Sequence, residues 1–276
     1  MFPQPRPAVL TKNAAPKPAP APATLAQLHL LLDVGAAWSP TYRGRLSNHL
    51  PMAQQALLEL GASAERLQAW SEHHEAQLEP RVAGRPGSVT PERDLGRPDS
   101  EAAWHAHFVA RIAAIGAAAA LREALPPLLD GAGAIAFHGL IRTAHAVLAG
   151  HEGELAFGLA HWAAHFLPLP TTADGPPLAL ADWLAALQQL PRPAPAGSLI
   201  SHRMEACGAS PDFAAVAGRL HHGPGTLRDI ALLAARTYAA TGNFTVLHLV
   251  TACHAMSTLE PWWPAPGLAR GFSVAA

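Results

Sequence analysis

"GAIAFHGLIRTAHAV", residues 133–147, is apolar almost throughout, yet it carries two histidines and an arginine. At about 100° per residue, His138 and Arg142 stand about 40° apart on a helical wheel, and His138 and His145 about 20° apart. The stretch therefore predicts a helix with one polar stripe on a face that its Ala, Leu, Ile and Val neighbours mark as core. Buried polar side chains need partners, because leaving them unpaired costs free energy. The stripe points to a pocket.

Outward from this stretch the pattern stays helical. Alanine and leucine dominate, which favours helix. Period-two runs of β-branched or aromatic residues are few. Helices are expected over 24–37, 47–60, 63–78, 99–122, 132–149, 152–167, 178–190, 198–207, 211–220, 226–241 and 243–258. Gly61 reads as a C-cap and Asp99-Ser100 as a helix start. Pro126-Pro127, Pro168 to Pro170 and Gly175-Pro176-Pro177 read as stops. The segments 79–98 and 168–177 read as loops. Residues 1–23 hold seven prolines, which predicts an extended, disordered arm outside the fold. Residues 24–276 then form one all-α domain, a multi-helix bundle with a central histidine-lined pocket.

Composition excludes several function classes. Half the residues are hydrophobic, only 14% are charged and the formal net charge is -1, so no nucleic-acid partner is expected. No run reaches the roughly 18 apolar residues of a membrane span. The first residues lack the apolar centre of a secretory signal. Cys207 and Cys253 form no CxxC pair and read as buried thiols of a reducing compartment, hence a cytoplasmic protein. The phosphate loop, dinucleotide fingerprint and GxSxG elbow are all missing.

The chain has 16 histidines. His73, His74, His151, His202, His221 and His222 sit beside polar or glycine-rich ends and read as surface. His49, His138, His145, His248 and His254 lie in apolar surroundings and are the candidate site. His248 and His254 stand about 120° apart, so a straight helix cannot aim both at one point. Either one is not a ligand or the helix is distorted there. His161 and His165, at i and i+4, have the most conventional metal-pair spacing in the chain. Their helix, however, takes its apolar face from Trp162, Phe166 and Leu167, and an exposed outer face explains the pair as well. His105 and His107 point to opposite helix sides. Trp104, Trp162 and Tyr42 serve either as an aromatic wall or as plain core. For Arg142 the acids nearest these segments are Glu59, Glu152, Glu154 and Glu260. Full pairing with one of them makes it scaffold; a free guanidinium makes it an oxygen-binding group.

Three segments taken together, "YRGRLSNHLPMAQQALLELGAS" (42–63), "AFHGLIRTAHAV" (136–147) and "TGNFTVLHLVTACHAM" (241–256), resemble the shorter bacterial branch of the questin oxidase-like family. "GLAHWAAHFLPL" and "DFAAVAGRL" fit the same branch, so the likeness runs in order over roughly 24–258. Fungal members are associated with oxygen-dependent opening of anthraquinone-type rings, first described as NADPH-dependent Baeyer–Villiger oxidation. Some relatives are understood as non-haem iron oxygenases that hold iron mainly by histidines, with a carbamylated lysine as an extra ligand. The resemblance thus implies an Fe²⁺-dependent oxygenase, other divalent metals being compatible with such ligands. Its partners are O₂ and a polycyclic aromatic or quinone-like substrate, and NADPH enters by resemblance alone. Carried over, it makes His49, His138 and His248 metal ligands, with His254 matching the bacterial pattern, and gives Arg142 and His145 catalytic or orienting roles. The chain departs at two points. Its only lysines, Lys12 and Lys17, lie in the arm, and Arg142 stands where fungal members have a second histidine. A non-catalytic helical binding protein and a metal-dependent hydrolase are the competing readings.

Overall fold

Thr24 opens the first helix, α1 (Leu25–Gly35), with a reciprocal cap. Its hydroxyl accepts from the Gln27 N–H while the Gln27 side chain takes the Thr24 N–H. The computed structural model describes residues 20–276 apart from 45, 83, 85–86, 173–174, 195–196 and 264–269. The predicted arm falls mostly on residues 1–19, outside the described residues. Its last part is not free: Ala23 donates to the Ala62 carbonyl, and Pro22 forms a bridge with Ser63.

After α1 comes the one sheet among the described residues, β1 (Thr41–Tyr42) antiparallel to β2 (Leu46–Ser47). Next are α2 (Leu50–Glu59) and α3 (Ala64–Glu75), the latter capped by the Ser63 hydroxyl. The expected loop at 79–98 holds one helical turn, α4 (Pro91–Asp94). The helix expected over 99–122 is two, α5 (Glu101–Ile115) and α6 (Ala117–Leu129), divided at Gly116 with φ 80°. That conformation suits glycine and breaks the helical ladder. Pro126 and Pro127 do not stop α6; they lie inside its last turn. The carbonyls they leave without an N–H partner belong to Arg122 and Glu123, both exposed, so water can satisfy them.

Then follow α7 (His138–Ala149), α8 (Glu152–Ala164), α9 (Leu180–Gln188), α10 (Ile200–Gly208), α11 (Pro211–Ala217), α12 (Thr226–Thr241), α13 (Phe244–Leu259) and a last α14 (Arg270–Ala275). The fold is all-α, as the composition predicts. No helix among the described residues is long and apolar enough to cross a membrane.

The middle of the body is α7, which packs on α2, α8 and α13, while α8 also packs on α5. Nearly every residue of α7 and α8 is buried. Two glycines bring these helices unusually close. A Cβ on Gly139 would lie 2.6 Å from the Trp162 Cα, and one on Gly158 would lie 2.9 Å from the Thr143 Cα. Backbone meets backbone there, with Trp162, Leu140 and Leu159 filling the flanks at 0% exposure.

Candidate functional site

The site begins with a strained turn. The helix expected from residue 132 starts only at His138, because Ile135, Ala136 and Phe137 have φ of 44°, 53° and 69°. Each non-glycine residue in this left-handed region costs about 1–2 kcal/mol. Three in succession, one of them β-branched, need surrounding structure to hold them, and strain of this kind collects at functional sites. Its local effect is clear. The turn brings the Ile135 carbonyl to 2.5 Å from His138 Nδ1. Only an N–H can donate to a carbonyl, so Nδ1 carries the proton. Burial, helped by the neighbouring His49, lowers the His138 pKa to about 3, so the ring is neutral and Nε2 presents a bare lone pair.

His49, just before α2, meets that lone pair, and the ring of His248, in the first turns of α13, packs edge-on beside His138. His138 Nε2 lies 2.9 Å from His49 Nε2, and the His138 and His248 ring centres are 5.1 Å apart. His248 donates Nδ1–H to the Phe244 carbonyl at 2.8 Å. Burial, with nearby His248 and His74, lowers the His49 pKa. His138 and His248 therefore each spend one nitrogen on the backbone, the arrangement that orients metal-binding histidines. With the His138 Nδ1–H on the backbone, the 2.9 Å contact is a hydrogen bond donated by His49 Nε2–H to the His138 lone pair. The same spacing suits a cation: nitrogens about 2.1 Å from one metal and at right angles sit about 3.0 Å apart. His49 and His138 thus stand as a metal-binding pair would, while the ring nitrogens of all three histidines do not lie within 4.8 Å of one another, so His248 has to move inward to complete a sphere.

Two apolar cavities flank the group, of about 340 and 360 Å³, and all three histidines line both. Met52, Ala56, Ile141, Leu247 and His145 complete the first. The second adds Leu46, Ile135, Leu199, Ile200 and one charged side chain, Arg203. Each volume lies in the range of small-molecule sites.

The remaining expected site residues divide. His145 is on the cavity wall, its Nδ1 2.5 Å from Gln55 Oε1, and burial lowers its pKa to about 4. His254 stands apart. It is exposed, and its ring centre is 6.5 Å from that of His145, because the turn of α13 swings it away from His248. Arg142 does not face the cavities either. Its Nε lies 2.5 Å from Glu154 Oε1 and its Nη2 3.0 Å from Oε2, with both side chains buried. A buried guanidinium requires such a partner, and Glu154 on α8 is in reach across the tight helix pair. The pairing corrects the expectation of a pocket-facing charge. Trp104 and Trp162 are core, donating to the Asp94 and Gly131 carbonyls. Lys12 and Lys17 lie outside the described residues.

The His161/His165 pair is not an outer face. His161 is 1% exposed. Its Nδ1 lies 2.9 Å from Glu101 Oε1, and His165 Nε2 lies 3.5 Å from Glu101 Oε2. One ligand atom from each of these three lies within 4.8 Å of the others, the one such group of three or more found among the described residues. Burial lowers the His161 pKa, against the raising effect of Glu101. Burial alone would raise the Glu101 carboxyl, but His161 and His165 hold it well below the usual carboxylate range. His161 Nε2 has no hydrogen-bond partner, a cost of about 1–3 kcal/mol. The i,i+4 spacing pointed at this cluster. Glu101, sixty positions earlier on α5, gave no signal in sequence beyond its place at a helix start.

A family model described as questin oxidase-like matches residues 46–220. The match takes in β2, α2, the strained turn, α7 and α8, and so includes His49 and His138. No curated protein matches the sequence. With well over half of its residues covered by that model, the chain belongs to the questin oxidase-like family.

Proposed function

We propose that the protein is an oxidoreductase, an oxygenase acting on a polycyclic aromatic or quinone-like compound, with iron held by His49, His138 and His248. The observation that carries this reading is the meeting of His49 and His138 at 2.9 Å, with the His248 ring beside them, where two apolar cavities join. When bound, iron supplies the redox chemistry by which O₂ reacts with an organic ring. The chain's residues do the rest. Met52, Ala56, Ile141 and Leu247 take an apolar ring system out of water. Neutral His145, with one nitrogen on Gln55, offers the other to a substrate hydroxyl. Arg203, not Arg142, is the cation placed to face an anionic or quinone oxygen. The turn at Ile135–Phe137 fixes the His138 ring before any ligand arrives.

The test is iron uptake by the full chain under anaerobic conditions, followed by O₂ consumption with a hydroxyanthraquinone as probe. The expected result is iron in the wild type and substrate-dependent O₂ uptake that falls at least ~100-fold in His138→Gln and in His248→Gln, since each loses a metal ligand. A wild-type chain that takes up no iron, or that binds the probe without consuming O₂, sinks the oxygenase reading in favour of a binding protein.

A further inference from the structure

We propose that Glu101, His161 and His165 form a second divalent-cation site, separate from the histidines at the apolar cavities. Two imidazoles and one carboxylate are a recurrent ligand set for borderline first-row ions such as Zn²⁺ and Fe²⁺. The present separations, 2.9 and 3.5 Å, are edges that a coordination sphere needs, so the side chains already stand nearly where a cation would hold them. Two helices supply them independently: α5 brings Glu101 at its first residue, and α8 brings His161 in its last turn and His165 as the residue that caps it.

His161, 1% exposed, faces Glu101 through Nδ1, and its Nε2 has no hydrogen-bond partner, so a cation on Nδ1 displaces no second bond of this ring. Of the nearby cations, Arg142 is already neutralised by Glu154, while Arg81, stacked 4.5 Å from the Phe157 ring centre, shares the Glu101 charge and is the cation a metal has to outcompete. Access also exists. His165 lines a cavity of about 390 Å³ shared with Ser201 and Glu205, which leaves open positions for water or a small oxygen ligand.

The experiment uses the full chain carrying His49→Gln and His248→Gln, so that the first group cannot compete. Zn²⁺ and Co²⁺ are titrated after chelator treatment, with stoichiometry from elemental analysis and Co²⁺ geometry from its visible d–d bands. One ion per chain is expected, with affinity at least ~10-fold weaker when Glu101→Gln or His165→Gln is added. No ion in that background, or equal affinity with those two substitutions, overturns the proposal. If the combined variants do not fold, wild-type crystals soaked in Zn²⁺ decide the matter at the zinc edge. An anomalous peak among the three side chains supports the site, and its absence there overturns it. Loss of iron at the cavity histidines is read separately, in the otherwise unaltered chain, so the two assignments fail independently.

Discussion

Arg142 shows how a single residue changes meaning between sequence and structure. From the helical wheel it shares a stripe with His138, which is correct, yet its charge goes to Glu154 and not to a cavity. The wheel gives direction around one helix. It cannot say which of four nearby acids lies across the seam. The pair has a definite consequence. Arg142→Leu leaves the Glu154 carboxylate buried without a partner, so stability should fall by about 3–5 kcal/mol. Arg142→Leu with Glu154→Leu should regain most of that loss, because replacing both charges of a buried pair is often near neutral. Urea unfolding of the two variants checks this. A single variant as stable as wild type would show that the pair is dispensable. Other residues were legible sooner. His49, His138 and His248 each stand out as a histidine in an apolar motif, and three separate helices bring them together. Arg203 gave no such signal, since one exposed arginine on a helix looks like any solvated charge.

At the scale of elements, the α7–α8 pair is set by residues that are not there. Gly139 and Gly158 lack the Cβ atoms that would strike Trp162 and Thr143. Gly139→Ala should therefore push the helices apart and cost about 1–3 kcal/mol, although alanine is the better helix former. A thermal melt measures the loss. An unchanged or higher Tm would mean that the seam gives way easily. Element existence was mostly readable from the Ala/Leu periodicity, but boundaries were lost where tertiary packing overrides propensity. The helix expected from 132 begins six residues later, because three left-handed residues precede it and no glycine among them advertised the turn. Gly116 splits one expected helix into two, and the two prolines of α6 sit where exposed carbonyls tolerate them.

The whole molecule inherits its response to acid from its neutral histidines. Burial lowers His145 and His105 to about 4, from an ordinary value of 6.5. A group that binds its proton more weakly folded than unfolded stabilises the native state above its unfolded pKa, and that stability is lost as pH falls toward the folded one. The metal-free protein should thus lose stability progressively from about pH 6.5 down to about pH 4. His145→Gln, which cannot titrate, should flatten the profile, as urea midpoints at pH 7 and pH 5 would reveal. An equal slope in that variant would remove His145 from the account. Fold class was legible at this scale because a composition led by alanine and leucine favours helix, leaving room for only one short strand pair among the described residues, and the family was legible because three motifs keep their order. The pairing of Glu101 with two histidines was not, since it joins residues sixty positions apart by packing and not by pattern.

The glycine seam ties distant chemistry together. His138 precedes Gly139, and His161 precedes the Trp162 that Gly139 abuts, so the two helices touch between one candidate ligand and the other. Side chains between helices usually act as a cushion, rearranging to absorb a small displacement. Here backbone rests on backbone and little is left to rearrange. A shift of α8 on taking a cation is therefore handed to α7 with little attenuation. Linkage then applies in both directions: whatever factor occupancy at Glu101 and His161 imposes on affinity at His138, occupancy at His138 returns unchanged.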